Sequence, residues 1–421
     1  MLLIALVSFV TGIARSQTLA RPGWAGSGMT IERWWPHAVV CEMRPDSLVG
    51  EAAAAEGSAL HRLGARLDDL QTLGVDAVLL REIETNPEPK VDAARGAVGG
   101  GVEIDRRYGT PDEFDELVSD AVRHGIRVLV ELHGGAQGTS LTDDARFWLN
   151  HGVTGLALPT DDPAMVRAIR GVLRGYVGER VLIGENEDRK TFVSPQPSAA
   201  QAQTFARRAE RHTGASAPSN AEQANHPDHP DLVLVRLPPV EQGAAAMRGA
   251  VEAARAMMAN HAPVPMLTAE QGRGESAGAR VLATALLGSG AAVLVRADDL
   301  DLAHADRDLT PGSIFAWYRQ WSGLHRGNAA MRSGEMILLD HDAEGALVWV
   351  RQSRGGGAPI VAICNVTDKP LRLSLVTDIQ RLKLRGSFLR TVARSDGGMG
   401  AMPLREIVLP PFGVYAGELS R

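Results

Sequence analysis

Short apolar runs recur along most of the chain. Each is bounded by turn residues and followed by a segment whose apolar positions repeat at helical spacing. Eight runs fit this description: 38–43, 77–80, 128–131, 155–158, 181–184, 232–237, 264–268 and 292–295. Helical patterning occupies 59–73, 111–124, 142–150, 163–177, 199–211, 241–260, 277–287 and 314–325. The helix at 111 has a well-marked start, because Thr110 can cap it, Pro111 suits the first helical position and Glu113 stands third. Strands that are almost wholly apolar suit a parallel sheet covered by helices, and eight of them close a TIM (β/α)8 barrel. Its functional face would be the C-terminal ends of the strands. From about 335 the pattern changes to alternating segments such as GALVWVRQ and PIVAICNV, which predict a C-terminal antiparallel β-sandwich with no helix. The expected organisation is a barrel over 29–330 and a sandwich over 335–421, with long rim loops at 186–198 and 212–231.

Composition narrows the class. At 421 residues, with 44% hydrophobic and 22% charged residues and a formal net charge of -6, the chain reads as an ordinary globular protein. A pI near 6.1 argues against a nucleic-acid footprint. Cys41 and Cys364 lie in apolar strand-like runs with neither a CxxC pair nor a metal spacing, which predicts buried free thiols and no metal or cofactor. Residues 1–28 contain an apolar run too short to span a bilayer, so no transmembrane helix is expected. Small residues follow that run as in an export signal, although no Lys or Arg precedes it. This leaves two expectations: a secreted or periplasmic protein, or a cytoplasmic one whose translation starts at Met29.

The order of segments resembles the alpha-amylase family, glycoside hydrolase family 13, and especially its alpha-glucosidase-like members. WWPHAVVCEMRP is similar to that family's first strand, RLDDLQTLGVDAVLL to its first helix and second strand, and IDRRYGTPDEFDELVSDAVRHGIRVLVEL to the run into the third. FWLNHGVTGLAL resembles the fourth-strand motif, RVLIGE the fifth and LLGSGAAVLVRADDL the eighth, so the likeness covers about 34–414. It implies a barrel, a C-terminal sandwich, glycoside-cleaving ancestry and an alpha-glucan or oligosaccharide ligand. Only a short stretch separates Leu132 from the next helix, so the protruding domain that many amylases insert there is missing.

The family's chemistry requires a carboxylate nucleophile and a carboxylic acid about 5 Å apart. Where the family has Gly-Phe-Arg-Ile-Asp, this chain has Gly155, Leu156, Ala157, Leu158 and Pro159. The nucleophile position therefore carries no side-chain oxygen, and the Arg that orients it is Ala157. Glu185 matches the acid. The resemblance implies further losses at Ala269 and Gln271 after the seventh strand, at Gly135 and Ala136 after the third, and at Gly96 and Ala97 before IDRRYGT. Catalytic groups that act as a unit fail together. The first expectation is therefore a pseudoenzyme serving as a glycan-binding or protein-partner scaffold. The second is an active glycosidase or transglycosylase that uses Glu185 as acid and Asp161 or Asp162 as a relocated nucleophile.

The other polar features read as follows. Asp161 and Asp162 precede Pro163, a usual way for a helix to begin. Glu131 and Glu185 end strands two spacings apart, about 10 Å, which is too far for a retaining pair. His133, directly after the third strand, could contact a ligand. NHPDHPD at 225–231 reads as an exposed loop held extended by its prolines, and GAVGGG at 96–101 as a flexible deletion scar.

Overall fold

In a computed structural model, the structure describes residues 33–44, 57–85, 90–92, 96–98, 102–133, 140–185, 229–259, 263–270, 278–300, 313–339, 344–353 and 355–421. Several expectations lie outside these residues: the 1–28 segment, Gly135, Ala136, Gln271, the 199–211 helix, the 186–198 loop, and most of the 212–231 loop. Residues Trp34–Arg421 form one compact unit.

Eight strands close a parallel barrel in sequential order: β1 (Val39–Met43), β2 (Ala77–Leu80), β3 (Arg127–Glu131), β4 (Gly155–Leu158), β5 (Val181–Gly184), β6 (Leu232–Arg236), β7 (Val264–Thr268) and β8 (Ala292–Arg296), with β8 pairing back onto β1. They form because each is a short apolar run with no polar side to leave wet. One set of alternate residues packs outward on the helices, including Val39, Cys41, Val78, Leu80, Val128 and Val130. The other set fills the interior: Val40, Leu79, Leu129, Ala157, Ile183, Leu234, Met266 and Leu294. Two periodic sets, each buried against a different layer, explain why the strands lack hydrophobic alternation.

The barrel helices are α1 (Ala59–Gly64), α2 (Leu67–Leu73), α3 (Pro111–Arg123), α4 (Leu141–Asn150), α5 (Pro163–Leu173), α6 (Gly243–Ala259), α7 (Ala279–Gly288) and α8 (Ile314–Gly327), with the short α9 (Ala329–Ser333) after them. The sequence predicts one helix over 59–73. The structure breaks it at Ala65–Arg66, where Arg66 leaves helical geometry at φ -100°, ψ 1°. α3 begins with the expected capping box of Thr110 and Glu113. GAVGGG also differs from expectation: Gly96–Val98 pairs antiparallel with Lys90–Asp92, so backbone hydrogen bonding orders part of it.

Beyond the barrel lies a six-stranded antiparallel sheet and a two-stranded one. With β9 (Glu335–Leu339), β10 (Ala346–Gln352), β11 (Ile360–Asn365), β12 (Leu371–Leu373), β13 (Phe388–Arg394), β14 (Ala401–Pro403), β15 (Ile407–Leu409) and β16 (Val414–Ser420), the large sheet runs β9-β10-β11-β16-β13-β14 and the small one pairs β12 with β15. A six-residue helix, α10 (Val376–Arg381), interrupts the all-strand pattern expected there. The large sheet is buried on both faces. Leu347, Trp349, Ile360, Ala362, Cys364, Val414 and Ala416 join the barrel's outer core. Val348, Val350, Val361, Ile363 and Tyr415 face the second core with β12, β15 and α10. Arg351 shares the parity of Trp349 and reaches toward the barrel, donating to the carbonyls of Ser289 at 2.9 Å, Ala330 at 3.1 Å and Met331. Both cysteines are free and fully buried. No described helix is long and apolar enough to cross a membrane.

Candidate functional site

Extending the interior parity of each strand by one step gives the residues at the C-terminal mouth. They are Glu42, Arg81, Glu131, Pro159, Glu185, Arg236, Thr268 and Arg296, in order around the barrel. The ring carries three carboxylates and three guanidiniums, with only Pro159 and Thr268 uncharged; the carboxylates gather around Arg81, while Arg236 and Arg296 stand on the other side. Charged groups at the rim of a low-dielectric barrel are stable only if they pair, and these do.

Arg81 is the hub. Its Nε lies 2.8 Å from Glu42 Oε2, and its Nη1 bonds Glu131 Oε1 and reaches Glu185 Oε2 at 3.0 Å. Its Nη2 lies 3.4 Å from Glu185 Oε1. Burial alone would ease its proton off, but Glu42, Glu131 and Glu185 outweigh that and raise its pKa. Across the ring Arg236 pairs with Glu270, which lies one inward step beyond Thr268. Arg296 stands in register with Glu42 and lies 3.6 Å from Asp298. Asp299, beside it in the turn Ala297–Leu300, is pushed up to about 7 by burial, opposed by Arg296.

The side chains correct the strand-spacing expectation for Glu131 and Glu185. Both reach the same guanidinium nitrogen, which puts their nearest oxygens within about two hydrogen-bond lengths of each other, not about 10 Å apart. Long side chains converging on the barrel axis close the gap that the backbone leaves. The Arg81 guanidinium bonds both of them, and both oxygens of Glu185 are engaged with it. Burial raises the Glu131 pKa against the pull of Arg81 and His133.

A second chain of contacts leaves the ring at Glu131. His133 Nε2 lies 3.4 Å from Glu131 Oε2, its Nδ1 lies 3.8 Å from Glu84 Oε2, and its backbone N–H donates to the same Glu84 oxygen at 3.2 Å. Glu84 Oε1 accepts the indole N–H of Trp148 at 2.5 Å. Burial pushes Glu84 up to about 7, with the bonds from Trp148 and His133 pulling the other way. Asp144 lies one turn before Trp148 on α4. It is 1% exposed, neither carboxylate oxygen has a hydrogen-bond partner among the described residues, and burial raises its pKa.

The other sequence candidates fall elsewhere. Asp162 caps α5, accepting the Met165 N–H at 3.0 Å. Asp161 lies beside it outside the ring, with interactions of its own. Ala157 is buried inside the barrel, Ala269 is buried after β7, and the backbone of Gly96 and Ala97 lies in the small hairpin. The 225–231 cluster is not wholly an exposed loop. Asp231 is buried, pairs with Arg170 at 3.1 Å and accepts the Leu182 N–H at 2.9 Å, tying β6 to β5. Among the described residues no group of His, Cys, Asp and Glu is placed to hold a metal ion. The sequence reading missed Glu42, Arg81, Glu84, Arg236 and Arg296. The signal was present, since most strands end in a charge two residues past an interior position.

No family model matches the chain. Over 102 residues it is 34% identical to the trehalose-6-phosphate hydrolase of Escherichia coli strain K12, and over 99 residues 31% identical to a probable alpha-glucosidase of Rhizobium meliloti. These matches take in 24% of this chain but only 18% and 17% of the relatives' length. A longer match, 26% over 178 residues, is to an amino acid transporter heavy chain of Oryctolagus cuniculus, covering 38% of this chain and 32% of that one. Among solved structures, the trehalose-6-phosphate hydrolase of Bacillus licheniformis superposes with a TM-score of 0.64 at 12% identity, over 92% of this chain and 100% of that one. The trehalulose synthase of Pseudomonas mesoacidophila superposes with a TM-score of 0.63 at 13% identity, over the same shares of both chains. At such identities the likeness is one of fold.

Proposed function

We propose, for a chain that belongs to the alpha-amylase family, glycoside hydrolase family 13, that it works without glycoside hydrolysis, as a scaffold that binds a partner or a glycan. The reading rests on one observation: Arg81 holds Glu185, Glu131 and Glu42 together where the family's acid would have to act. A general acid must offer a proton to the leaving oxygen, and a nucleophile must attack from the other face of the sugar. Glu185 spends both oxygens on a guanidinium. The nucleophile position is Pro159. Asp162 has its side chain committed to the start of α5, which speaks against the relocated-nucleophile alternative. The ring saturates its own charges, so few free donors and acceptors remain at the axis for sugar hydroxyls. Among the described residues, His133, with a side chain 38% exposed, and the Arg236–Glu270 pair at the rim are the groups placed to contact a glycan.

The relatives are named for hydrolysis of trehalose 6-phosphate and alpha-glucosides, so these are the substrates to test, together with maltooligosaccharides. Purified wild-type protein is expected to release no more product from them than the Glu185→Gln variant. Turnover above that variant would overturn the scaffold reading. If there is none, calorimetric titration with alpha-glucans and trehalose divides glycan binding from partner binding.

A further inference from the structure

The end of the C-terminal layer, after β11, differs in charge from the rest of the chain. Residues 366–421 hold nine Lys and Arg against five Asp and Glu, within a chain whose net charge is -6. Two of these cations are paired across the small and large sheets, Arg372 with Glu406 and Arg390 with Glu418. Four others, Arg381, Lys383, Arg385 and Arg405, are exposed.

The fold gathers those four. The segment 375–387 is a loop pinned at both ends on one residue: Leu375 N–H donates to the Leu404 carbonyl at 2.9 Å, and Leu404 N–H donates to the Ser387 carbonyl at 3.1 Å. Arg381, Lys383 and Arg385 therefore stand on a loop that closes beside Arg405. Leu382 and Leu384 alternate with them and pack into the second core, which turns the cations outward. At the end of α10, Lys383 adopts φ 56°. It is the residue just past the helix in a motif closed by the Leu384 N–H to Ile379 carbonyl bond at 3.1 Å. Glycine occupies that position without steric penalty, yet here it presents a lysine. The loop's one acid, Asp378, has interactions of its own, and Glu406 and Glu418 are already paired.

We infer that this basic loop, Arg381, Lys383, Arg385 and Arg405, is a docking surface for an anionic lipid bilayer. A stable protein interface needs an apolar centre, whereas near this loop Val408 is the one large apolar side chain exposed among the described residues. Single-stranded nucleic acid needs exposed aromatic platforms, and among the described residues no aromatic side chain is exposed here. What the loop offers is a compact set of cations on short spacing. Each Lys or Arg brought near an anionic membrane surface contributes about 1 kcal/mol of attraction, roughly fivefold in partitioning. Four on one loop add up to a reversible, salt-sensitive association.

The full chain should co-sediment with vesicles of phosphatidylglycerol and phosphatidylcholine at low salt. It should stay in solution with phosphatidylcholine alone, and salt should release it. Replacing all four cations with Ser should cut partitioning on the order of a hundredfold or more, at roughly fivefold per residue. Replacing the paired Arg372 and Arg390 should change it little. Lys383→Gly should weaken partitioning roughly fivefold while leaving the melting temperature equal or higher, so loss of binding cannot be put down to unfolding. Equal binding to neutral vesicles, no binding to anionic ones, or unchanged binding by the fourfold variant would each overturn the inference.

Discussion

Arg81 does for this barrel what a substrate-binding site would otherwise leave undone: it neutralises carboxylates crowded at the end of a closed sheet. Breaking a buried ion pair from one side costs more than the pair contributes, because the partner charges stay buried. Arg81→Leu is therefore expected to destabilise the protein by about 3–5 kcal/mol, measured by urea denaturation. Adding Glu131→Gln to it should recover part of that loss, since the two sites are directly coupled. Glu84 makes a prediction of the opposite kind. Its pKa in the fold, about 7, lies above the ordinary 4.5, so the folded state holds this proton more tightly than the unfolded chain. Its contribution to stability is then fully present below about pH 4.5 and is lost as pH rises toward 7. Relative to Glu84→Gln, wild-type stability should fall by about 1.4 kcal/mol per pH unit across that window, read from melting curves of the two proteins. A flat difference would show that Glu84 ionises freely.

At the level of elements, each strand has two separate tasks. Its outward residues hold the helices. Its inward residues fill the barrel and, one step further, set the charge at the mouth. The same division appears in β10, where Leu347 and Trp349 reach the barrel helices while Ala346, Val348 and Val350 face the second core. Arg351 continues the first set and spends its guanidinium on backbone carbonyls at the ends of α7 and α9. Gly290 lies against it at φ +75°, where a Cβ would come within 2.4 Å of Nη2. Desolvation lowers the Arg351 pKa to about 10, which is still far above neutrality. The charge persists, and the carbonyls are its compensation. This strand thus joins the sheet to the barrel by apolar packing and by a buried cation at once.

For the whole molecule the consequence is cooperativity. The barrel's outer core and one face of the C-terminal sheet are a single buried cluster, so separating them would expose Trp349, Ile360 and Ala362 together. Thermal unfolding is expected to give one transition, with tryptophan fluorescence and far-UV circular dichroism coinciding; two resolved transitions would show that the sheet folds apart. The eight-strand barrel, the antiparallel C-terminal layer, the α3 capping box and the two buried thiols were legible in the chain, because they follow from local periodicity, propensity and burial. The break at Ala65–Arg66 and the extra helix α10 were not, since packing overrides weak local preference. Nor was the meeting of Glu42, Arg81, Glu131 and Glu185, four residues spread over 144 positions of sequence. Sequence spacing measures distance along a strand, whereas ion pairing depends on distance across the barrel axis. Only closure of the sheet turns eight strand ends into one ring, and only there does Glu185 become the partner of Arg81.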